Sequence, residues 1–248
     1  MRLRRRLMIG AVFVLLLPSS RLAAHPDGGP PCEAEKVATQ AVARKVDAEA
    51  SPRTDWFLRQ TMTLARRVDV TRSLLDEATR AGVRIVAVSG LRSFGVIGSW
   101  YPEGKLIFLD VDRPETRVTV LAHELLHATR ALHGRGFGVA FAAMTRFDRE
   151  TWAVGSTVEE GDAHAFEIEV ADTLDRMGID QPLLELRKDP RTADIEAAWR
   201  LAHAASNGDL SAARAAVRDA FAALPTYESY LRMYKVQYDN LMTACNGP

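Results

Sequence analysis

The spacing of apolar residues along the chain changes from helical to extended and then back to helical. Residues 33–82 are rich in alanine and charged residues, and Leu58, Met62 and Ala65 recur at intervals that place them on one face of a helix. Residues 83–88 instead alternate and carry β-branched side chains, which is typical of a strand. This pattern predicts two or three helices followed by a sheet.

Two more short extended runs, 96–101 and 105–110, follow the first strand, and Pro102-Glu103-Gly104 supplies a turn between them. We expect these two runs to form a β-hairpin. Asp112 and Pro114 then favour the start of a helix, and the rest of the chain has helical spacing. The predicted helices are 114–132, 136–148, 157–177, 192–206, 209–223 and 226–243.

This order of segments predicts an α+β fold, in which a small antiparallel sheet packs on a helix and helical regions precede and follow it. A chain of 248 residues fits one domain or two small ones. The predicted division is a signal peptide over 1–24, a flexible lead-in over 25–32, an N-terminal helical region over 33–82, a core over 83–177 and a C-terminal helical region over 178–248.

Residues 1–24 have the features of a secretory signal peptide. Arginines precede an apolar run from Met8 to Leu17, and Leu22-Ala23-Ala24 offers small residues for cleavage before His25. The apolar run is about ten residues long, whereas roughly 20 are needed to span a bilayer. We therefore expect export to the periplasm or the medium, and no stable membrane span in the mature chain.

The charge of the chain changes if this peptide is removed. The full chain has 32 basic and 32 acidic residues, and loss of the five arginines in residues 1–24 would leave a net charge of −5. A mildly acidic surface argues against nucleic acid as a partner. Two cysteines remain, Cys32 and Cys245. In an oxidising compartment they can form one disulfide between the chain ends, and two free thiols are the alternative.

The segment His123-Glu124-Leu125-Leu126-His127 carries the candidate chemistry. On a helix, residues four apart lie one above the other, so the two imidazoles project side by side and can bind one metal ion. Imidazole nitrogen is a good ligand for zinc. Glu124 lies about 100° around the helix from His123. From there its carboxylate can accept a proton from a water molecule that the metal activates.

The rest of this predicted helix supports a metal site. Val118, Leu121, Leu125 and Leu132 cluster between about 160° and 220° when His123 is placed at 0°. One face of the helix is therefore expected to pack on the core, and the opposite face to carry the site. A pair of core histidines would lie within the apolar stripe instead.

Together with the hairpin at residues 100–109, this helix resembles the zincin metallopeptidases, over about residues 83–177. In that superfamily the helix packs under a small sheet whose edge strand lines the substrate cleft. The segment from Glu160 to His164 is similar to the gluzincin pattern. The resemblance implies that Glu160 is the third zinc ligand and that the small Ala163 lets two helices approach. His164 takes a position often held by an acidic residue in gluzincins, which leaves open what holds the ligands in place.

Other residues can complete the metal site instead of Glu160. Glu159 and Asp162 lie in the same segment. His133 follows His123 by ten residues and resembles the third ligand of SprT-like proteases. A continuous helix would carry His133 about 15 Å along its axis from His123, which is too far to share an ion. We therefore prefer Glu160.

Three further features are assigned no catalytic role. Arg130 falls on the same face as His123, where it can contact a substrate carboxylate or form a surface salt bridge. His203 lies in an alanine-rich helix and is expected to be structural or exposed. The last helix carries tyrosines on one side, which we expect to pack: Tyr227, Tyr230, Tyr234 and Tyr238.

The sequence thus predicts an exported zinc metallopeptidase that hydrolyses peptides or proteins. Zn²⁺ would be bound by His123, His127 and Glu160, and Glu124 would act as the general base. The alternative is an exported helical protein that contains zinc and binds partners without catalysis. The sequence determines neither the cleavage specificity nor the oligomeric state.

Overall fold

The computed structural model describes residues 52–91, 96–102, 104–137 and 146–246, the side chains of residues 245 and 246 excepted. Within this part of the chain there are eight helices and a three-stranded sheet, which confirms the α+β class with an excess of helix. The elements are α1 (Pro52–Ala65), α2 (Asp69–Arg80), β1 (Arg84–Val88), β2 (Gly98–Tyr101), β3 (Leu106–Asp110), α3 (Arg117–Leu132), α4 (Arg149–Arg176), α5 (Gln181–Lys188), α6 (Ala193–Ala205), α7 (Leu210–Ala222) and α8 (Pro225–Asn246).

The sheet is mixed, with the strand order β1-β3-β2. β2 and β3 pair antiparallel, with Trp100 opposite Ile107, as the predicted hairpin requires. β1 pairs parallel to β3, with Val86 opposite Phe108, so the prediction of an antiparallel sheet is wrong for this pair. Alternation along a strand indicates which side chains share a face. It does not indicate which strands become neighbours. Here β3 pairs with β2 on one side and with β1 on the other, so β3 lies in the middle of the sheet.

Helix α3 is packed among other elements, and none of its residues is fully exposed. Val118, Leu121 and Leu125 of the predicted apolar stripe lie in the main hydrophobic core. α1, α2, β2 and β3 pack against α3. The opposite side of the helix is covered by α4, and Ala122 and Ala128 are completely buried as well. The face predicted to carry the site is therefore enclosed between two helices.

Helix α4 begins at Arg149, eight residues before the predicted start at 157. The side chain of Asp148 caps the helix by accepting a hydrogen bond of 2.9 Å from the backbone N–H of Thr151. Trp152 in the first turn is completely buried, and its ring lies 5.4 Å from that of Tyr234 on α8. Packing against α8 thus extends α4 beyond its sequence pattern.

The prediction of a helix over 136–148 is wrong for the residues at its two ends, which the structure describes. Residues 136–137 and 146–148 are not helical, and residues 138–145 lie outside the described part of the chain. Helix α5 was not predicted, although Pro182 in its first turn suits a helix start. The last three helices agree with their predicted bounds to within three residues.

Several predictions concern residues that the structure does not describe. The signal peptide, the lead-in and Cys32 fall within residues 1–51, and the side chain of Cys245 is also outside the described set. Among the helices that are described, none combines the length and the apolar character needed to cross a membrane.

We expect Leu125→Ala to lower the free energy of unfolding by about 2–5 kcal/mol, because it removes a completely buried side chain from the core side of α3. Equilibrium urea denaturation measures this loss. The matched control is Val154→Ala on α4, where the side chain is 43% exposed and a change within about 0.5 kcal/mol is expected. Equal losses in both variants would contradict the central position of α3.

Candidate metal centre

The candidate site lies between α3 and α4. His123 and His127 occupy successive turns of α3, and their Nε2 atoms are 3.2 Å apart. Glu160 on α4 faces both rings, with Oε2 at 3.3 Å from Nε2 of His123 and Oε1 at 3.6 Å from Nε2 of His127. Ala163, one turn further along α4, is completely buried. The structure thus brings the three predicted ligands together.

These three residues fit a divalent metal ion. One donor atom from each lies within 4.8 Å of the others. Two imidazole nitrogens and a carboxylate oxygen are a donor set that zinc accepts, with a position left for a further ligand. Glu160 is also buried, and a buried carboxylate normally has a cationic partner or a metal ion beside it.

His133 does not take part in this group. It follows the last turn of α3, where its side chain is 54% exposed and its Nε2 contacts the carboxylate of Glu77 on α2. The described residues that could hold an ion together do not include it. Because α3 continues without a break to Leu132, His133 is carried away from the imidazole pair.

Glu159 lies behind His127. Its Oε1 is 2.8 Å from Nδ1 of His127, on the side of the ring away from Glu160. Its other carboxylate oxygen accepts a hydrogen bond of 2.9 Å from the backbone N–H of Phe137. Glu159 and Glu160 therefore approach the same imidazole from two sides, and Glu159 connects it to the segment that follows α3.

Glu167 lies behind His123 in a similar way. Its Oε2 is 3.6 Å from Nδ1 of His123 and 3.2 Å from Nδ1 of His164, whose ring lies 5.0 Å from that of His123. The sequence analysis missed Glu167. The available signal was its spacing, since Glu160, His164 and Glu167 follow one another at intervals of four and three along one helix face. His123, His164 and Glu167 also form a second group that could hold an ion.

Tyr234 on α8 contacts the third candidate ligand. Its hydroxyl donates a hydrogen bond to Oε1 of Glu160. Burial, together with the negative charge of Glu160, raises the pKa of Tyr234 well above 10, so the hydroxyl keeps its proton. The ring of Tyr230 stacks on Tyr234 at 6.2 Å. The predicted packing of the tyrosines is present, and this hydrogen bond adds a contact that their spacing did not indicate.

Glu124 is buried at the junction of α3 and β2. The backbone N–H of Trp100 on β2 faces its carboxylate. Burial raises the pKa of Glu124, and the neighbouring His123 and His127 only partly offset this effect, while the Trp100 donor lowers the pKa slightly. Its carboxylate is therefore beside the imidazole pair and lies against the sheet.

The site strongly favours positive charge, since four buried carboxylates meet there: Glu124, Glu159, Glu160 and Glu167. Burial lowers the pKa of His123, but the nearby carboxylates of Glu160 and Glu167 outweigh this effect, and the pKa is raised well above 6.5. Burial would raise the pKa of Glu160, but His127 and His123 lower it to about 2. The carboxylates thus stabilise protons on the imidazoles, and a metal cation can take the place of these protons.

Arg130 and His203 have structural contacts. A nitrogen of the Arg130 guanidinium is 2.8 Å from Asp162, which also contacts Arg218 at 3.2 Å. Arg130 therefore forms the salt bridge that was one of its two predicted alternatives. His203 stacks on Trp199 within the C-terminal helices, with 6.0 Å between the ring centroids.

The convergence of two imidazoles and a carboxylate, with a further acid alongside, is the arrangement of a metal-dependent hydrolase site. Comparison with protein families agrees: the model of the “Putative metallopeptidase family (DUF6782)” matches residues 33–241, and the chain belongs to this family. Membership implies a metal ion and a peptide or protein substrate. Comparisons with curated proteins and with solved structures give no significant match.

We expect zinc chloride in excess to stabilise the metal-free protein, by about 2.7 kcal/mol at a concentration 100 times the Kd, because an ion that binds only to the folded state shifts the folding equilibrium towards it. Thermal unfolding with and without zinc measures the effect, and His123→Ala should abolish it. His133→Ala is the control and should retain it, because His133 lies outside the cluster. Loss of the effect in His133→Ala alone would contradict this assignment of ligands.

Proposed function

We propose that this chain is a zinc-dependent, gluzincin-like peptidase in which His123, His127 and Glu160 bind the ion. The observation that carries the proposal is the convergence of these three donors, within 4.8 Å of one another, beside the buried Glu124. The ligands come from two helices that pack directly against each other. Their positions therefore depend on the core of the protein and not on a loop.

The proposed mechanism assigns the proton transfers to Glu124. When bound, zinc supplies Lewis acidity that polarises the scissile carbonyl and lowers the pKa of water towards about 7. Glu124 accepts a proton from the attacking water on its carboxylate and later donates it to the nitrogen of the leaving amine. The Trp100 N–H faces this carboxylate, and a hydrogen bond from it would limit the orientations that Glu124 can adopt.

Three residues are proposed to hold the ligands in place. Glu159 contacts Nδ1 of His127, Glu167 lies 3.6 Å from Nδ1 of His123, and Tyr234 donates to Glu160. A carboxylate at Nδ1 favours the tautomer in which the proton is on Nδ1 and Nε2 is free to bind a metal. In gluzincins an acidic residue often holds a ligand from the position that His164 takes here. Glu167 would perform this role instead.

We propose that the substrate lies along β2. This strand is at one end of the sheet order β1-β3-β2 and packs against α3 beside Glu124. An extended peptide can pair with the open edge of such a strand, through backbone hydrogen bonds that do not depend on sequence. Export through residues 1–24 stays a prediction, and the proposal places the mature enzyme in the periplasm or outside the cell.

We expect Glu124→Gln to bind zinc as tightly as the parent chain and to lower kcat by about 10²–10⁴-fold, because the amide cannot accept the proton. A mixed-sequence library of quenched peptides measures hydrolysis, and metal analysis of the purified variant measures zinc. Full activity in Glu124→Gln would overturn the mechanism. Binding of zinc without any cleavage by the parent chain would favour the alternative of a non-catalytic zinc protein.

We expect Glu159→Gln and Glu167→Gln each to weaken zinc binding by about 10–100-fold, because each removes the carboxylate nearest to Nδ1 of a ligand histidine. Competition with a chromophoric chelator measures the Kd. Glu169→Gln is the matched control: Glu169 is equally buried on α4, but it is 2.6 Å from Arg214 and is not near the imidazoles. A similar loss of affinity in Glu169→Gln would show that general destabilisation is the cause.

A further inference from the structure

Strand β2 contains a glycine where it crosses α3. A glycine inside a strand offers no side chain for packing and often marks a close approach to another part of the chain. A Cβ atom added at Gly98 would lie 2.3 Å from Cγ1 of Val120. It would also lie 3.0 Å from Oε1 and 3.2 Å from Cγ of Glu124. Only a hydrogen atom fits between this strand and the helix.

The two residues beneath Gly98 are neighbours on α3. Val120 and Glu124 are four residues apart, so they lie on successive turns of the same helix face. The backbone N–H of Trp100 in the same strand also faces the Glu124 carboxylate. Gly98 and Trp100 are two residues apart in β2, and the strand thus contacts Glu124 at two points.

Strand β2 is itself fixed by the sheet. The backbone N–H of Asp110 donates a hydrogen bond of 2.9 Å to the carbonyl of Ile97, and Ser99 lies opposite Phe108 of β3. β3 is completely buried along its length and packs on α3. The distance from β2 to Glu124 is therefore set by the sheet and by the residue at position 98.

We propose that Gly98 is a positioning residue for Glu124. Its missing side chain lets β2 approach α3 closely enough for the strand backbone to hold the Glu124 carboxylate next to the metal centre. This inference rests on the proposed function, in which Glu124 is the general base.

Gly98→Ala should separate the strand from the helix. The new methyl group meets Val120, which is β-branched and has essentially one χ1 rotamer in a helix, so this side chain cannot turn away. β2 must then move outward, and the N–H of Trp100 moves with it. A displacement of about 1 Å in a catalytic arrangement can lower the rate by roughly 10²-fold. The zinc ligands are on α3 and α4, so zinc binding is expected to be unchanged.

The test compares Gly98→Ala with Val120→Ala and with the double variant. Removal of the Val120 methyl groups takes away the closest contact, so the double variant should recover at least about tenfold of the kcat that Gly98→Ala loses, a difference within the range for such displacements. If Gly98→Ala acted only by destabilising the fold, zinc affinity would fall together with kcat, because metal binding depends on the folded state. Gly104→Ala is the control: it lies in the same hairpin, but the atoms nearest to its Cβ would be side-chain atoms of Leu106 and Tyr101, at 3.1 Å.

A second measurement does not depend on hydrolysis. The amide proton of Trp100 should exchange faster with solvent and shift upfield in Gly98→Ala, and both changes should reverse in the double variant. An unchanged Trp100 amide and parent-level kcat in Gly98→Ala would overturn the inference. The proposed function has a separate test, since it fails if Glu124→Gln is fully active or if the parent chain binds no zinc.

Discussion

The packing of α4 against α3 is the contact on which the rest of the site depends. It places Glu159, Glu160 and Glu167 against two imidazoles in a region with little access to water. Burial of several carboxylates is costly unless positive charge lies beside them. Here the histidines supply that charge as protons, and a divalent cation can supply it more effectively. Metal binding and the stability of this helix pair are therefore expected to depend on each other.

Different elements hold the parts of the site. α3 carries the two imidazoles and Glu124, α4 carries the three acids that face them, and α8 contributes the hydroxyl of Tyr234. The sheet contributes backbone only, through the close approach at Gly98 and the N–H of Trp100. A donor set built on packed helices has little freedom to rearrange, which favours a preorganised metal centre. The carboxylate of Glu124, the proposed general base, lies against the sheet, so its position can be changed without touching the ligands.

Membership of the family implies a metal ion and a peptide or protein substrate. The geometry explains how residues far apart in the sequence contribute to one site. Glu160 takes the position that the gluzincin resemblance implies for the third ligand, whereas His164 departs from that pattern, and the acid behind His123 is one turn further along the helix, at Glu167. Glu167 can stand in for the residue at position 164 because residues three or four apart lie on the same helix face. Glu159 and Glu160 are adjacent and point about 100° apart around α4, so they approach Nδ1 and Nε2 of His127 from different sides.

The sequence by itself determined the features that depend on local geometry. Two histidines four residues apart must lie side by side once α3 is helical, and the hairpin followed from its turn and its alternation. It did not determine which strand lies next to β1, where α4 begins, or that Glu167 and Tyr234 reach the ligands. These depend on how elements distant in sequence pack, and on a helix one residue is a rotation of about 100°. The position of His133 away from both imidazoles follows from a continuous α3. Only the tertiary structure could place Glu160 beside the imidazoles and Glu159 behind one of them, because local spacing carries no information on which helix faces which.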